Sequence, residues 1–175
     1  SRTVAAVTSA LESYNPAEAI GAAREFFWGA FCDWYLEMIK PRLRDPEQAP
    51  VARQVLAVGL DQVLRLLQPF VPFVTEAIWE LLDERAPVRG ISEPLPLSDL
   101  VITAAWPAPV PKWEDAFLES QIASMQEVTK VIRELRSEHK VPPSRKLQAL
   151  IKADDDARET LRLLSHHIQT LANLD

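Results

Sequence analysis

Apolar residues recur at helical spacing along almost the whole chain. Val4, Val7 and Leu11 mark a short first helix. "NPAE" then reads as a helix start, with Asn15 as cap, Pro16 at the first helical position and Glu18 three residues beyond the cap. The helix that follows runs to about Lys40, where Pro41 is expected to stop it. A third helix covers about 51–67, with Val55, Leu56, Val58, Val63, Leu66 and Leu67 available for burial. In "QPFVPFVTEAIWELL" two prolines break the pattern and restart it near Pro72, and Phe73, Ile78, Leu81 and Leu82 are expected on the inner face of that fourth helix. A fifth spans about 113–139 and ends at "VPPS". "KLQALIK" reads as a strand, and Leu161, Leu164, Ile168 and Leu171 mark a last helix after "DDD".

Residues 83–112 are proline-rich and show no helical period. They read as a long surface connector or clamp with one short extended run, "LVITAAW". The pattern therefore predicts a mainly α fold: an antiparallel helical bundle over 1–140, which includes this connector, and a strand-plus-helix α/β appendage at 141–175. A lone strand leaves backbone groups unpaired on both edges. Its partner is expected to be the "LVITA" run, another chain or sequence beyond Asp175, the last being preferred. With no initiating Met, the chain reads as a piece of a longer one.

The densest pattern is "FFWGAFCDWYLEMIKPRL", residues 26–43. At about 100° per residue, Ile20, Ala23, Phe27, Phe31, Trp34 and Met38 fall on one face, and Trp28, Cys32, Tyr35 and Ile39 on an adjoining one. A helix apolar over that much of its surface is expected at the centre of the bundle, buried from two sides. The narrow remaining strip holds Phe26, Gly29, Asp33, Glu37 and Lys40. Asp33 and Glu37 are one turn apart, a like-charge spacing that makes sense if both carboxylates anchor the helix to its neighbours.

Composition mostly excludes. Four scattered glycines cannot make a phosphate-cradling loop. His139, His166 and His167 lack a second cysteine or an HExxH spacing, so no metal site is expected. No Ser, Cys or Lys sits in a nucleophile motif, and no catalytic residue is expected. One cysteine, Cys32, rules out an internal disulfide and fits a cytoplasmic setting. No apolar run is long enough to span a bilayer.

A net charge of −6 is not what a nucleic-acid binder usually shows, but the distribution matters more than the sum. Between residues 130 and 152 seven basic residues face two acids. On the fifth helix Lys130, Arg133, Arg136 and Lys140 lie on one side of an apolar stripe (Met125, Val128, Val131, Ile132, Leu135), with Glu127, Glu134 and Glu138 on the other. Such a row could neutralise several phosphates, or be a solvated face with sorted charges. Lys40, Arg42 and Arg44 form a smaller cluster where a helix ends.

Two stretches carry a family resemblance. "FCDWYLEMIKPRL", followed by "LLQPFVPFVTEAIWELL", resembles the anticodon-binding domain of class I aminoacyl-tRNA synthetases, most of all the valyl type. Trp106-Pro107 and the run from Arg133 through Leu135-Arg136-Ser137-Glu138 to Val141-Pro142-Pro143 are similar to that family in the same order. Gln68 and Pro16 depart from its usual His and aromatic, and its opening helix and catalytic signatures are absent. The resemblance implies a helical module that holds the anticodon stem-loop of a tRNA, tRNA(Val) for the valyl type. The remaining synthetase domains would be its other partners, and ATP with Mg would be needed by the longer enzyme alone. Lys40, Arg42, Arg44, Lys130, Arg133, Arg136 and Lys140 are candidates for backbone contacts, and Arg24 and Trp28 for base stacking, chosen from charge and face. An isoleucyl or leucyl relative, and a helical protein-interaction bundle without RNA contact, remain open.

Overall fold

The computed structural model describes residues 1–96 and 98–175, and divides into two compact units, Ser1–Glu114 and Asp115–Asp175. The fold is mainly α. The helix at about 116–138 packs with the C-terminal elements, a different grouping from the 1–140 bundle and 141–175 appendage expected from periodicity.

The first unit contains α1 (Arg2–Glu12), α2 (Pro16–Glu25), a π-helical segment (Phe26–Tyr35), α3 (Leu36–Arg44), α4 (Ala49–Leu67) and α5 (Pro72–Arg85). Local chemistry sets most of these boundaries. The Asn15 Oδ1 accepts from the Glu18 amide at 3.2 Å, and its Nδ2 donates to the Glu18 carboxylate at 2.8 Å, which closes the capping box. Pro72 opens α5, where a missing N–H costs nothing. Pro41, expected as a stop, lies inside α3. The helix gives up one backbone bond there and continues to Arg44.

Val4, Val7, Ala10, Ala19, Ala23 and Leu66 form one core cluster, and Ala57, Leu64, Trp79, Leu82 and Val101 a second. The "FFWGAFCDWY" stretch is wound wider than an α-helix, so its side chains depart from the 100° wheel. Phe31 is buried, stacks on Tyr35 at 5.6 Å, and presses its ring against Gly59 of α4, where a Cβ would come within 2.8 Å of it. Phe27, Cys32, Trp34, Tyr35 and Met38 are half-buried, and Ile20 and Trp28 are exposed. Ala23, Phe31 and Ile39 are buried, so each expected face is covered in part and neither along its whole length. α5 differs from expectation in the same way: Phe73 is 91% exposed and Leu81 57%, while Trp79 and Thr75 are fully buried.

The connector begins after Arg85, since residues 83–85 belong to α5, and side chains of the helices tie it down. The Glu76 carboxylate accepts from the amides of Val101 and Ile102 at 3.0 and 2.9 Å, which holds "VIT" in a 3-10 turn and not an extended run. The Trp79 indole donates to the Ser98 carbonyl, and the Trp106 indole to Thr8 Oγ1, both at 2.8 Å. Beneath this lies a buried charge network. Asp61 accepts from Arg65 Nε at 2.7 Å and from Arg89 Nε at 2.9 Å, and Arg89 reaches Asp83 at 2.5 Å. Arg65 also donates to the carbonyls of Pro96 and Ala105 at 2.9 and 2.8 Å. Both guanidinium groups lie over the Trp79 ring, at 5.0 Å for Arg65 and 4.6 Å for Arg89. The ring face is the partner of the Arg89 head, whose Nη2 has no hydrogen-bond partner among the described residues.

Gly90 follows directly, buried and with φ at +155°. A Cβ there would run into the Glu93 carbonyl oxygen. Gly90→Ala is therefore expected to destabilise this unit by at least about 2 kcal/mol. All five tryptophans lie within residues 28–113, so urea unfolding followed by tryptophan fluorescence reads this unit alone. A midpoint equal to the parent's would show that the turn has slack.

The second unit contains α6 (Ala116–Glu138), α7 (Asp155–Leu163) and α8 (Ser165–Ala172). Asp115 and Asp154 cap α6 and α7, each accepting at 2.9 Å from the amide three residues on. The expected last helix is interrupted near Leu164, which gives α7 and α8. The expected strand is also corrected. Among the described residues "KLQALIK" makes one parallel bridge, Leu147 to Leu174, just after the left-handed turn at Asn173. Among the described residues no helix is long and apolar enough to cross a membrane.

Candidate nucleic-acid interface

One continuous helical run, from α2 through the π-helical segment to α3, presents the first set of candidates. Arg24 ends α2 and is exposed, and Trp28, one turn on, is 59% exposed with its edge against Phe27 at 5.1 Å. A large aromatic surface held by a second ring and open to solvent is a stacking platform for an unpaired base. Arg42 and Arg44 are exposed in the last turn of α3, where the helix carbonyls favour cations. Burial pushes the Tyr35 phenol up, partly opposed by the nearby Arg42 charge.

The acids of this run do not anchor it. Glu37 pairs with Lys40 of the same helix at 2.6 Å, an exposed pair worth at most about 1 kcal/mol. Asp33 is exposed and makes no hydrogen bond or ion pair among the described residues. The expected locking role fails for a geometric reason, since neither carboxylate meets a side chain of another helix. Lys40 is correspondingly engaged by Glu37, leaving Arg42 and Arg44 as the open cations. Cys32 is half-buried, and burial together with the Asp33 charge raises its thiol pKa, so the neutral, weakly nucleophilic form is favoured.

In the second unit the basic row of α6 separates into distinct roles. Lys130 and Lys140 are exposed. Arg133 is also exposed, but its guanidinium donates twice to the Leu171 carbonyl at 3.1 and 2.8 Å. Arg136 is buried and must be withdrawn as a phosphate contact. Its guanidinium donates to the carbonyls of Arg145 (2.7 Å), Pro142 (3.1 Å), Asn173 (3.3 Å) and Pro143 (3.4 Å). A side chain that organises four carbonyls of its own fold has no face left for an external anion.

Sequence reasoning missed the Asp61–Arg65–Arg89–Trp79 network. A signal existed: Asp61 and Arg65, four apart, interrupt the apolar face of α4 between Val58 and Leu66. Among the described residues no three His, Cys, Asp or Glu side chains gather where a metal ion could sit.

Comparison with known proteins supplies the remaining information. The family described as the anticodon-binding domain of tRNA ligase matches residues 1–151. The valine–tRNA ligase of Rhodopirellula baltica is 36% identical over 169 residues, which are 97% of this chain and 16% of that protein. The Caulobacter vibrioides valine–tRNA ligase is 39% identical over 99% of this chain and 19% of its own length. That of Dehalococcoides mccartyi is 40% identical over 89% of this chain and 17% of its own. The chain thus spans less than a fifth of the length of these relatives.

Proposed function

The chain belongs to the anticodon-binding domain family of tRNA ligases, and on that premise we propose that it binds the anticodon stem-loop of a tRNA. Relatives described as valine–tRNA ligases over nearly its whole length favour tRNA(Val) and a cytoplasmic valine–tRNA ligase as the longer protein. Holding the stem-loop in place would let the acceptor end reach catalytic segments outside these residues, where ATP and Mg would act.

The observation that carries the reading is the surface of α2 to α3. An open indole at Trp28 and open guanidinium groups at Arg24, Arg42 and Arg44 lie along one helical run. RNA loops are recognised in this way, with unstacked bases resting on flat side chains and cations meeting the backbone. Lys130 and Lys140 supply a second basic surface in the other unit, with Arg133 as a partial contributor. Asp33, unpartnered beside this run, is available as an acceptor for a base amino group.

Filter binding with valine, isoleucine and unrelated tRNAs at two salt concentrations tests this. The expected order places tRNA(Val) tightest. Arg42→Glu with Arg44→Glu should weaken binding and make the log–log salt slope shallower by about 1.4 to 1.8, the loss of two phosphate contacts. A preference for tRNA(Ile) would reassign the module to that relative. An absence of binding even at low salt, by folded protein, would favour an interaction bundle.

A further inference from the structure

The cations of the Ser1–Glu114 unit fall into two groups. Lys40 meets Glu37, Arg2 meets Glu114, and Arg65 and Arg89 are buried on Asp61. The others, Arg24, Arg42, Arg44, Arg53, Arg85 and Lys112, are exposed and make no hydrogen bond or ion pair among the described residues. Arg53 and Arg85 belong to no basic run or motif in the sequence.

Connectivity brings four of these open cations to one end of the unit. Residues 45–48 join α3 to α4 and residues 68–71 join α4 to α5, so α4 runs antiparallel to both. Contacts along the helices fix the levels. Phe31 lies against Gly59, and Ala57 and Leu64 of α4 share a core cluster with Trp79 and Leu82 of α5. Gln54 Nε2 donates to the Gly90 carbonyl just past α5. Arg42 and Arg44 thus close α3, Arg85 closes α5, and Arg53 stands one turn inside α4, all at the same end. Neighbouring helix axes lie about 8–10 Å apart, so the three helix ends span roughly 20 Å.

The acids at this end do not occupy these arginines. Asp45 is held by its own turn, accepting from the Glu47 amide at 3.0 Å and from Gln48 Nε2 at 2.6 Å. Glu47, Glu84 and Glu93 are exposed and pair with none of the four. A guanidinium fork meets phosphate oxygens with two N–H donors at once. Four open forks across three adjacent helix ends suit an anion that is extended and repeating. We infer that the RNA backbone runs across this end, with Arg53 and Arg85 as phosphate contacts beside Arg42 and Arg44. The inference rests on the RNA-binding reading and adds a direction to it: the stem-loop lies toward the α3–α4 turn and away from the α4–α5 turn.

The test repeats the tRNA(Val) filter-binding titration with the whole 175-residue chain carrying Arg53→Gln and Arg85→Gln. The log–log salt slope should become shallower by about 1.4 to 1.8, as two phosphate contacts are lost. Phe73→Glu with Val74→Glu, at two exposed positions beside the α4–α5 turn, changes the net charge by the same amount and should keep the parent's slope. Arginine modification by phenylglyoxal, read by mass spectrometry, answers without any substitution: tRNA(Val) should slow the reaction at Arg53 and Arg85 severalfold. If both stay unprotected and the slope is unchanged, while Arg42→Glu with Arg44→Glu still lowers it, this inference is overturned and the RNA reading stands. An equal loss of slope in the Phe73 and Val74 variant also overturns it, because net charge would then be the cause. A folded chain that binds no tRNA at low salt sinks both.

Discussion

Replacing Asp61 with alanine is expected to destabilise the Ser1–Glu114 unit by about 3–5 kcal/mol, the largest effect of any single change outside the hydrophobic core. Asp61 is fully buried and accepts from two arginines that are themselves buried, Arg65 and Arg89. Its removal leaves two guanidinium groups with Asp83, 33% exposed, as the remaining carboxylate of the network. The Trp79 ring and the carbonyls of Pro96 and Ala105 would not compensate a lost counter-charge. Tryptophan-monitored urea unfolding gives the number, and a loss below about 1 kcal/mol would mean that the network is surface-like in energy. The network is also what seats the connector, since Arg65 and Arg89 reach it from α4 and from within it. The same variant should therefore increase proteolysis within 86–112 before global unfolding. Replacing Asp61, Arg65 and Arg89 together with apolar residues should recover part of the loss, because the desolvation of three ions disappears with their attraction.

Arg136→Ala should cost the second unit about 2–3 kcal/mol, since hydrogen bonds from a charged donor to four carbonyls are lost and the carbonyls are left poorly satisfied. Hydrogen exchange of the α6 and α8 amides reads this unit, which contains no tryptophan. The RNA salt slope should stay unchanged under conditions where the variant is folded. Lys130→Glu should do the opposite, changing the slope with little effect on exchange. A slope that falls by about one for the Arg136 variant would restore it as a phosphate contact.

Arg136 also shows where reading a sequence stops. Helical spacing placed it in a row with Lys130, Arg133 and Lys140, and its motif carried part of the family resemblance. Nothing within a few residues says that the chain after α6 folds back so that the carbonyls of 142, 143, 145 and 173 converge on one guanidinium. Thr75, Glu76 and Trp79 are comparable. Their motif pointed to a family, yet their work is to hold a turn and a connector.

What the sequence determined by itself were features settled within about one helical turn. The capping box at Asn15, the restart at Pro72 and the caps at Asp115 and Asp154 need only neighbours in the chain, because their donors and acceptors lie three residues apart. Tertiary structure decided which faces were covered and which charges were free. Phe73 and Trp28 lie open, Asp61 and Arg136 are buried, and the "KLQALIK" edge has one bridge, because burial and strand pairing depend on segments tens of residues away. Even the winding of "FFWGAFCDWY" belongs to that second class. Its wide turns go with the fit of Phe31 against Gly59, a contact between residues 28 positions apart that no helical wheel contains.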